Sequence, residues 1–515
     1  MLWELNKQRN ELQNNKKSES GIKRHDQSLS TIGVYMDGFR LSSSRHLELG
    51  LIAVLVFCGA CAAWSGHGHG NSGSGVTESQ AIQPLSANDV SVLFPAPSTA
   101  ADVKNLIAVS DITTPNAQDP SKRDPVWPAG AFQQFVAIAG SPSAQVAGTQ
   151  DRIGLPAEAL DIGAWFIAGI RIDAGAPGLS TEIRSQLGQL PQIRLIVQPV
   201  ARAADGTPRV LDIAGHLIFD FIAPVPAPPA QPDCLPRQSP DSGAFNSVVL
   251  DLFALRNKLR DGQLGANKVN TSGVPMGVHP GLLDATTATN LRGEILSFLE
   301  KHISGQRLDA MAIAALPDAA PAPWIFLSMV KIPAGLVPAL PNGGFIAVHG
   351  PTLDGGQQFA QMLQPSGTNP RVVPDPHTNN LSPITCKNAA VSPSSLPIAN
   401  RNGVATAELF ALSPPSPDRT KQVLDVIADP AKSHFFNTDC ISCHTETRRA
   451  MDLQNIKDIP GINSATLPNG QWNIRNFGWS PSSKGAHATV TRRTANETAS
   501  VVSAINSGVL AKRPN

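Results

Sequence analysis

Between Asn437 and Met451 the chain reads NTDCISCHTETRRAM, and within it Cys440, Cys443 and His444 form a C-x-x-C-H sequence. Two thiols three positions apart can each add to one vinyl group of a haem, and the adjacent imidazole is then held beneath the iron. A bare C-x-x-C is shared by redox dithiols and by halves of zinc sites. A zinc site of the usual kind needs a second ligand pair, and neither another C-x-x-C nor an H-x3-5-H pair follows. A dithiol does not require the histidine. The spacing therefore points to one covalent haem c, with His444 as an axial metal ligand. A metal site or purely structural cysteines are the alternatives.

What lies on the far side of the iron decides between electron transfer and chemistry on small molecules. After His444 the chain holds one histidine, His487, and one methionine, Met451. Met451 is seven residues on and could reach the opposite haem face only by a nearly fully extended wrap, at about 3.3–3.6 Å per residue. His487 lies in a Gly-Ala-rich turn 43 residues after His444 and is taken as the second metal ligand. An open or water-bound site, or another methionine, is the alternative. Arg448, Arg449 and Arg475, with Arg492 and Arg493, are candidates to pair with the haem propionates, because guanidinium matches carboxylate geometry. A solvated basic face is the plain alternative. Trp472 and Trp479, in QWNIRNFGW, are expected to cover the porphyrin. Ordinary core packing would use them equally well.

The C-terminal 98 residues resemble a small monohaem c-type cytochrome domain. Pro417–Ala428 (PDRTKQVLDVIA) supplies a first helix, with Val423, Leu424 and Ile427 on one face and Pro at its start. Thr494-Ala-Asn-Glu497 has capping-box spacing and opens a last helix through Val501, Val502 and Ile505 towards Gly508. The resemblance implies a small all-α haem unit, a distal ligand from the chain between motif and last helix, and electron transfer as the activity.

The address agrees. Met36 opens MDGFRLSSSRHLELGLIAVLVFCGACAAW, with Arg40 and Arg45 ahead of an uncharged run from Leu49 to Trp64. That is a secretory signal by pattern and too short to be read first as a membrane span. Translation from Met36, or from Met1 with a long leader, fits equally. The run's end resembles a bacterial lipoprotein box. Cys61 follows Gly59 and Ala60 but has Cys58 at the aliphatic position, and Cys58 has Leu55 but Phe57 beside it. Lipid attachment at Cys61 (or Cys58) and plain signal cleavage both remain open. The expected location is the periplasm, or the outer membrane facing it. An oxidising compartment also suits a disulfide between Cys234 and Cys386, the two cysteines left over.

Supporting elements are read from periodicity. The expected architecture is multidomain: an N-terminal extension and signal peptide (1–64), a flexible linker (65–79), a β-rich domain (80–225), a Pro-rich linker (226–243), a mixed α/β region with an extended wrapping segment (244–413), and a small all-α cytochrome c-like domain (414–515). Ala131–Ala139, Trp165–Asp173, Gln192–Ala201 and Val210–Phe221 read as strands. Phe245–Arg260 and Leu291–His302 read as amphipathic helices, and Leu308–Leu316 and Trp324–Ile332 as buried strands. His216, inside an apolar run, reads as a core or rim histidine.

With 41 basic and 40 acidic side chains, the chain lacks the basic excess of a nucleic-acid binder. No phosphate-binding loop, nucleophile elbow, dinucleotide fingerprint or zinc-protease helix is present. The expectation is an exported monohaem electron carrier with a redox partner protein. A peroxidase-like haem enzyme or sensor, or an envelope-binding protein with ancillary haem, is the rival.

Overall fold

The computed structural model describes residues 83–116, 118–140, 153–175, 190–223, 240–315, 325–332, 334, 343–348, 350–351, 357–358, 360–364, 371–373, 416–430, 440–469, 475–482 and 485–510. The chain divides into Met1–Glu78 and Ser79–Asn515, and every described residue belongs to the second unit. The signal peptide, Cys58, Cys61, the linker 65–79, residues 226–239 of the Pro-rich linker, Cys234, Cys386 and Trp472 lie outside the described residues.

In chain order the unit begins with helix α1 (Ala87–Val90), β1 (Ser91–Leu93), α2 (Ala100–Lys104), β2 (Thr113–Pro115), β3 (Arg123–Pro125) and α3 (Ala129–Ala139). Next come β4 (Trp165–Asp173), β5 (Gln192–Arg202), β6 (Pro208–Val210), β7 (Ile213–Asp220), α4 (Ser242–Arg260) and α5 (Ala285–His302). Then follow β8 (Leu308–Ala315), β9 (Ile325–Ile332), β10 (Gly344–Val348), β11 (Gly350–Pro351), β12 (Gln357–Gln358), β13 (Ala360–Gln364) and β14 (Arg371–Val373). The last elements are α6 (Pro417–Ala428), α7 (Cys440–Gln454), β15 (Phe477–Ser480), β16 (His487–Val490) and α8 (Arg492–Leu510).

One antiparallel sheet of ten strands organises the unit, in the order β1-β4-β5-β7-β8-β9-β13-β14, with β6 beside β5 and β10 beside β9. Its strands are rich in Val and Ile, which fit a pleated, half-buried surface. Alternation then gives the sheet two unlike faces. On one, Ile193, Leu195, Val197, Leu217, Phe219, Met311, Ile313, Leu327 and Met329 are all buried. Cross-strand pairs such as Leu195–Leu217, Leu217–Met311 and Met311–Met329 fix this register. Each such side chain contributes about 1.5–3 kcal/mol when fully buried. Trp127, Phe132 and Phe135 join Trp165 there, with ring centroids 4.9, 5.2 and 5.6 Å from Trp127 in edge-to-face contact. Phe245 of α4 extends the same core, its ring centroid 5.5 Å from that of Phe221.

The other face carries Ser91, Arg171, Asp173, Arg194, Gln198, His216 and Asp220, interspersed with Ile196, Ile218 and alanines of β8. The C-terminal segment lies on it. A Cβ on Gly169 would stand 2.5 Å from the Phe477 ring, so β15 approaches β4 where there is no side chain. Gln198 Nε2 donates to the Trp479 carbonyl (2.9 Å), and Trp479 N–H donates back to Gln198 Oε1 (2.6 Å). Trp479 Nε1 donates to the Phe94 carbonyl (2.9 Å).

These contacts overturn the expected fold class. A β-rich domain followed by a separate mixed α/β region is not found, because β7 pairs with β8 across the intended boundary. Nor is 414–515 a small all-α cytochrome-like domain. It contains the β15–β16 hairpin, and it lies on the polar face of the sheet, from which it takes its buried partners. Two local readings also differ. Ala129–Ala139 is a helix rather than a strand. Phe132, Phe135 and Ala139 are its buried positions, and that spacing is helical. The last helix begins at Arg492, not at Thr494, so Glu497 lies inside it.

Candidate haem-binding site

Helix α7 starts at Cys440. In a helix, positions 440, 443 and 444 stand at i, i+3 and i+4 and share one face. Cys443 and His444 are half-buried, whereas Thr445, Glu446 and Thr447 behind them are buried.

Those three buried residues lock α7 to α8. The Arg492 N–H donates to Thr447 Oγ1 (2.8 Å), and the Arg493 N–H donates to Glu446 Oε1 (3.2 Å). A carboxylate and a hydroxyl from one helix thus cap the amide end of another, where free N–H groups and the helix dipole favour an anion. Arg492 Nη2 also donates to Glu446 Oε2 (3.0 Å), and its Nη1 to Asp425 of α6 (2.7 Å). Burial pushes the Glu446 carboxyl above its ordinary range, with Arg492 opposing. Arg493 closes the far end of α6 by donating from Nη1 to the Ile427 carbonyl (2.9 Å). Its Nε donates to Glu497 (2.6 Å), whose other oxygen pairs with Arg171 of β4 at 2.8 Å. Burial alone would raise the Glu497 carboxyl; Arg493 and Arg171 outweigh it and hold it at about 2.

The residues picked out in the sequence take different places. Arg448 pairs with Asp452 (2.6 Å) and reaches the Pro468 carbonyl (3.5 Å). Arg449 is partly buried, and desolvation lowers its pKa. Arg475 is buried, donates to Asp212 (3.0 Å) and to the Trp479 carbonyl (3.2 Å), and is lowered to about 10 by burial. Trp479 sits in the main core. His487 is half-buried on β16, with Nε2 3.1 Å from the Leu467 carbonyl. Met451 packs against the core from α7 itself.

Sequence reasoning passed over the polar face of the sheet. His216 sits on β7 opposite Ile196 and Ala312, with Arg194 one strand away on the same face. Burial first, then Arg194 and His444, push the His216 ring well below its ordinary pKa. His444 is therefore near enough for its charge to act on His216. Asp220 and Asp309 press their carboxyls together, and burial raises both. The available signal was alternation. Arg171, Arg194 and His216 each interrupt an apolar strand, and antiparallel pairing puts them on one side.

The centre of this face is half-buried at Arg194, His216, Ile218, Ala310, Ala312 and Ala314, whereas the neighbours on the opposite face are buried. The β8 side chains on this face are small, Ala310, Ala312 and Ala314. Cys440, Cys443 and His444 are the residues that could hold a thioether-linked haem. Among the described residues no cluster of three or more His, Cys, Asp or Glu is set to hold a bare metal ion. No described helix is long and apolar enough to cross a membrane. Comparison with protein-family models, with curated proteins and with solved structures finds no match to this chain.

Proposed function

We propose that this is an exported electron carrier that holds one covalent haem c on Cys440 and Cys443, with His444 as an axial ligand, and exchanges electrons with a partner protein. The observation that carries the reading is the C-x-x-C-H motif, Cys440, Cys443 and His444, which opens α7 at i, i+3 and i+4. Attachment would add each S–H across one vinyl C=C, forming a C–S and a C–H bond with no oxidant. The bound group supplies one-electron chemistry. The chain's own share is to hold it. Glu446 and Thr447 pin α7 to α8, and Glu497 pins α8 to the sheet, so the first turn of α7 stands on a rigid base. The signal-like run from Met36 to Trp64 would take the chain to the compartment where bacterial c-type haem is attached.

The test is expression with and without haem-attachment machinery. With it, the full chain should keep its colour through a denaturing gel, and Cys440→Ala combined with Cys443→Ala should abolish that colour. Extraction of all the colour from the unmutated protein by acidified organic solvent would overturn the reading.

A further inference from the structure

We propose that the haem lies between the first turn of α7 and the middle strands of the sheet, with His216 of β7 as its second axial ligand. The inference rests on the haem reading above and extends it to a residue about 230 positions away from the motif in sequence, brought there by the topology.

Three observations converge on His216. It occupies the half-buried middle of the polar face, opposite Ala312, with Ala310 and Ala314 along the adjacent strand. It is half-buried although β7 is a central strand whose other face is fully buried. Among the described residues no group hydrogen-bonds its ring, whereas other histidines are engaged. His302 is 2.7 Å from Asp251, and His279 accepts the Gly281 N–H at 3.0 Å. The C-terminal segment that carries the motif lies on this same face, through Arg171–Glu497 and Gln198–Trp479. Residues of α7 reach β13, residues of α8 reach β4, and the β5–β7–β8 strip runs between those two strands. The helix that carries the motif is held to α8 by Glu446 and Thr447, and so belongs to the same side of the sheet as His216.

The competing ligands fit less well. Met451 is seven residues after His444 on the same helix, about 10 Å along its axis, so it stays on the proximal side. Met311 and Met329 pair on the opposite face of the sheet and are fully buried. His487 would have to turn from the Leu467 carbonyl or ligate through its other nitrogen. Arg194, one strand from His216 on the same face, donates to Gln192 at 2.9 Å and is the guanidinium nearest His216 in the strand register.

The experiment is absorption spectroscopy on the full, haem-loaded chain with and without carbon monoxide. The unmutated protein should be low-spin and indifferent to carbon monoxide. His216→Ala should keep its colour in a denaturing gel, become high-spin and bind carbon monoxide stoichiometrically. Added imidazole should restore the low-spin spectrum, and His487→Ala should leave it unchanged. If the alanine variant does not accumulate, His216→Met should give a low-spin protein with a new thioether-to-iron band. An unmutated protein that is high-spin, or a His216→Ala spectrum identical to it, overturns His216 while leaving the covalent haem standing. An unmutated protein that loses its haem on denaturation overturns the attachment itself, and the ligand with it.

Discussion

The two faces of the sheet are built from the same strands and do opposite jobs. One is hydrocarbon throughout and joins the aromatic cluster around Trp127 and Trp165. The other buries Arg171, Asp173, Gln198 and Asp220 beneath or beside the C-terminal segment and leaves His216 half-open. A core needs only volume and apolar area. Buried ions need partners, because an unpaired buried charge is costly. The apolar face therefore tolerates repacking, whereas the polar face specifies which segment can lie on it. Ser91 meets Thr498 at 2.9 Å, Arg171 meets Glu497 at 2.8 Å and Gln198 meets Trp479. Chemistry-bearing residues of the C-terminal segment are positioned by these contacts rather than by a small domain of their own.

Glu497 is where that specification should break most severely. Its carboxylate bridges Arg171 and Arg493, whose side chains are 10% and 5% exposed. Glu497→Ala leaves both guanidinium groups buried without it and should cost about 3–5 kcal/mol. Urea unfolding measures the loss. A drop below about 1 kcal/mol would mean that water already reaches the triad, and the contrast between the faces would fail.

The same carboxylate predicts a pH signature. Its folded pKa of about 2 lies below the ordinary 4.5. A depressed carboxyl contributes fully above the unfolded value and loses that contribution as pH falls through the folded one. The contribution is about 3 kcal/mol and should vanish between pH 4.5 and about 2. Buried His279, lowered to about 4 by desolvation, adds its own acid loss from 6.5 downward. The informative quantity is thus the stability of the unmutated protein minus that of Glu497→Gln. It should be constant above pH 4.5 and shrink below it. A difference that does not change down to pH 2.5 would show that Glu497 is not held ionised by its arginines.

The comparison also explains what could be read in the sequence. Strands such as Trp165–Asp173 were visible because β-branched runs mark strands wherever they pair. The C-x-x-C-H motif was visible because its chemistry is local. His216 was not, since one polar residue in an apolar run looks the same whether it faces a core, a rim or a ligand. Only the registers Ile196–His216 and His216–Ala312 put it on the polar face. The expected division into a β-rich domain and a separate mixed α/β region failed for a related reason. β7 and β8 are neighbours although α4 and α5 lie between them, and a helical interruption in sequence gives no sign of a continuous sheet. The all-α reading of the C-terminus rested on Pro417–Ala428, which is a helix, and on a last helix of roughly the right place. It missed β15 and β16 because their partners include each other and a strand face some 280 residues away.

The smallest expected effect isolates burial as the cause. Lys258 of α4 and Glu294 of α5 are 2.8 Å apart, the same distance as Arg171 and Glu497. Their side chains are 41% and 34% exposed, against 10% and 13% for the buried pair. In water the attraction is weak and two long side chains lose freedom to make it, so an exposed pair contributes about 0.2–1 kcal/mol. A double-mutant cycle with Lys258→Ala and Glu294→Ala should return that coupling and lose most of it in 1 M salt, where screening acts within about 3 Å. The equivalent cycle on Arg171 and Glu497 should give several times more and change little with salt, because the surrounding helices and sheet keep ions out. Equal couplings for the two pairs would show that distance alone sets the strength, and that enclosure by the C-terminal segment adds nothing to the polar face.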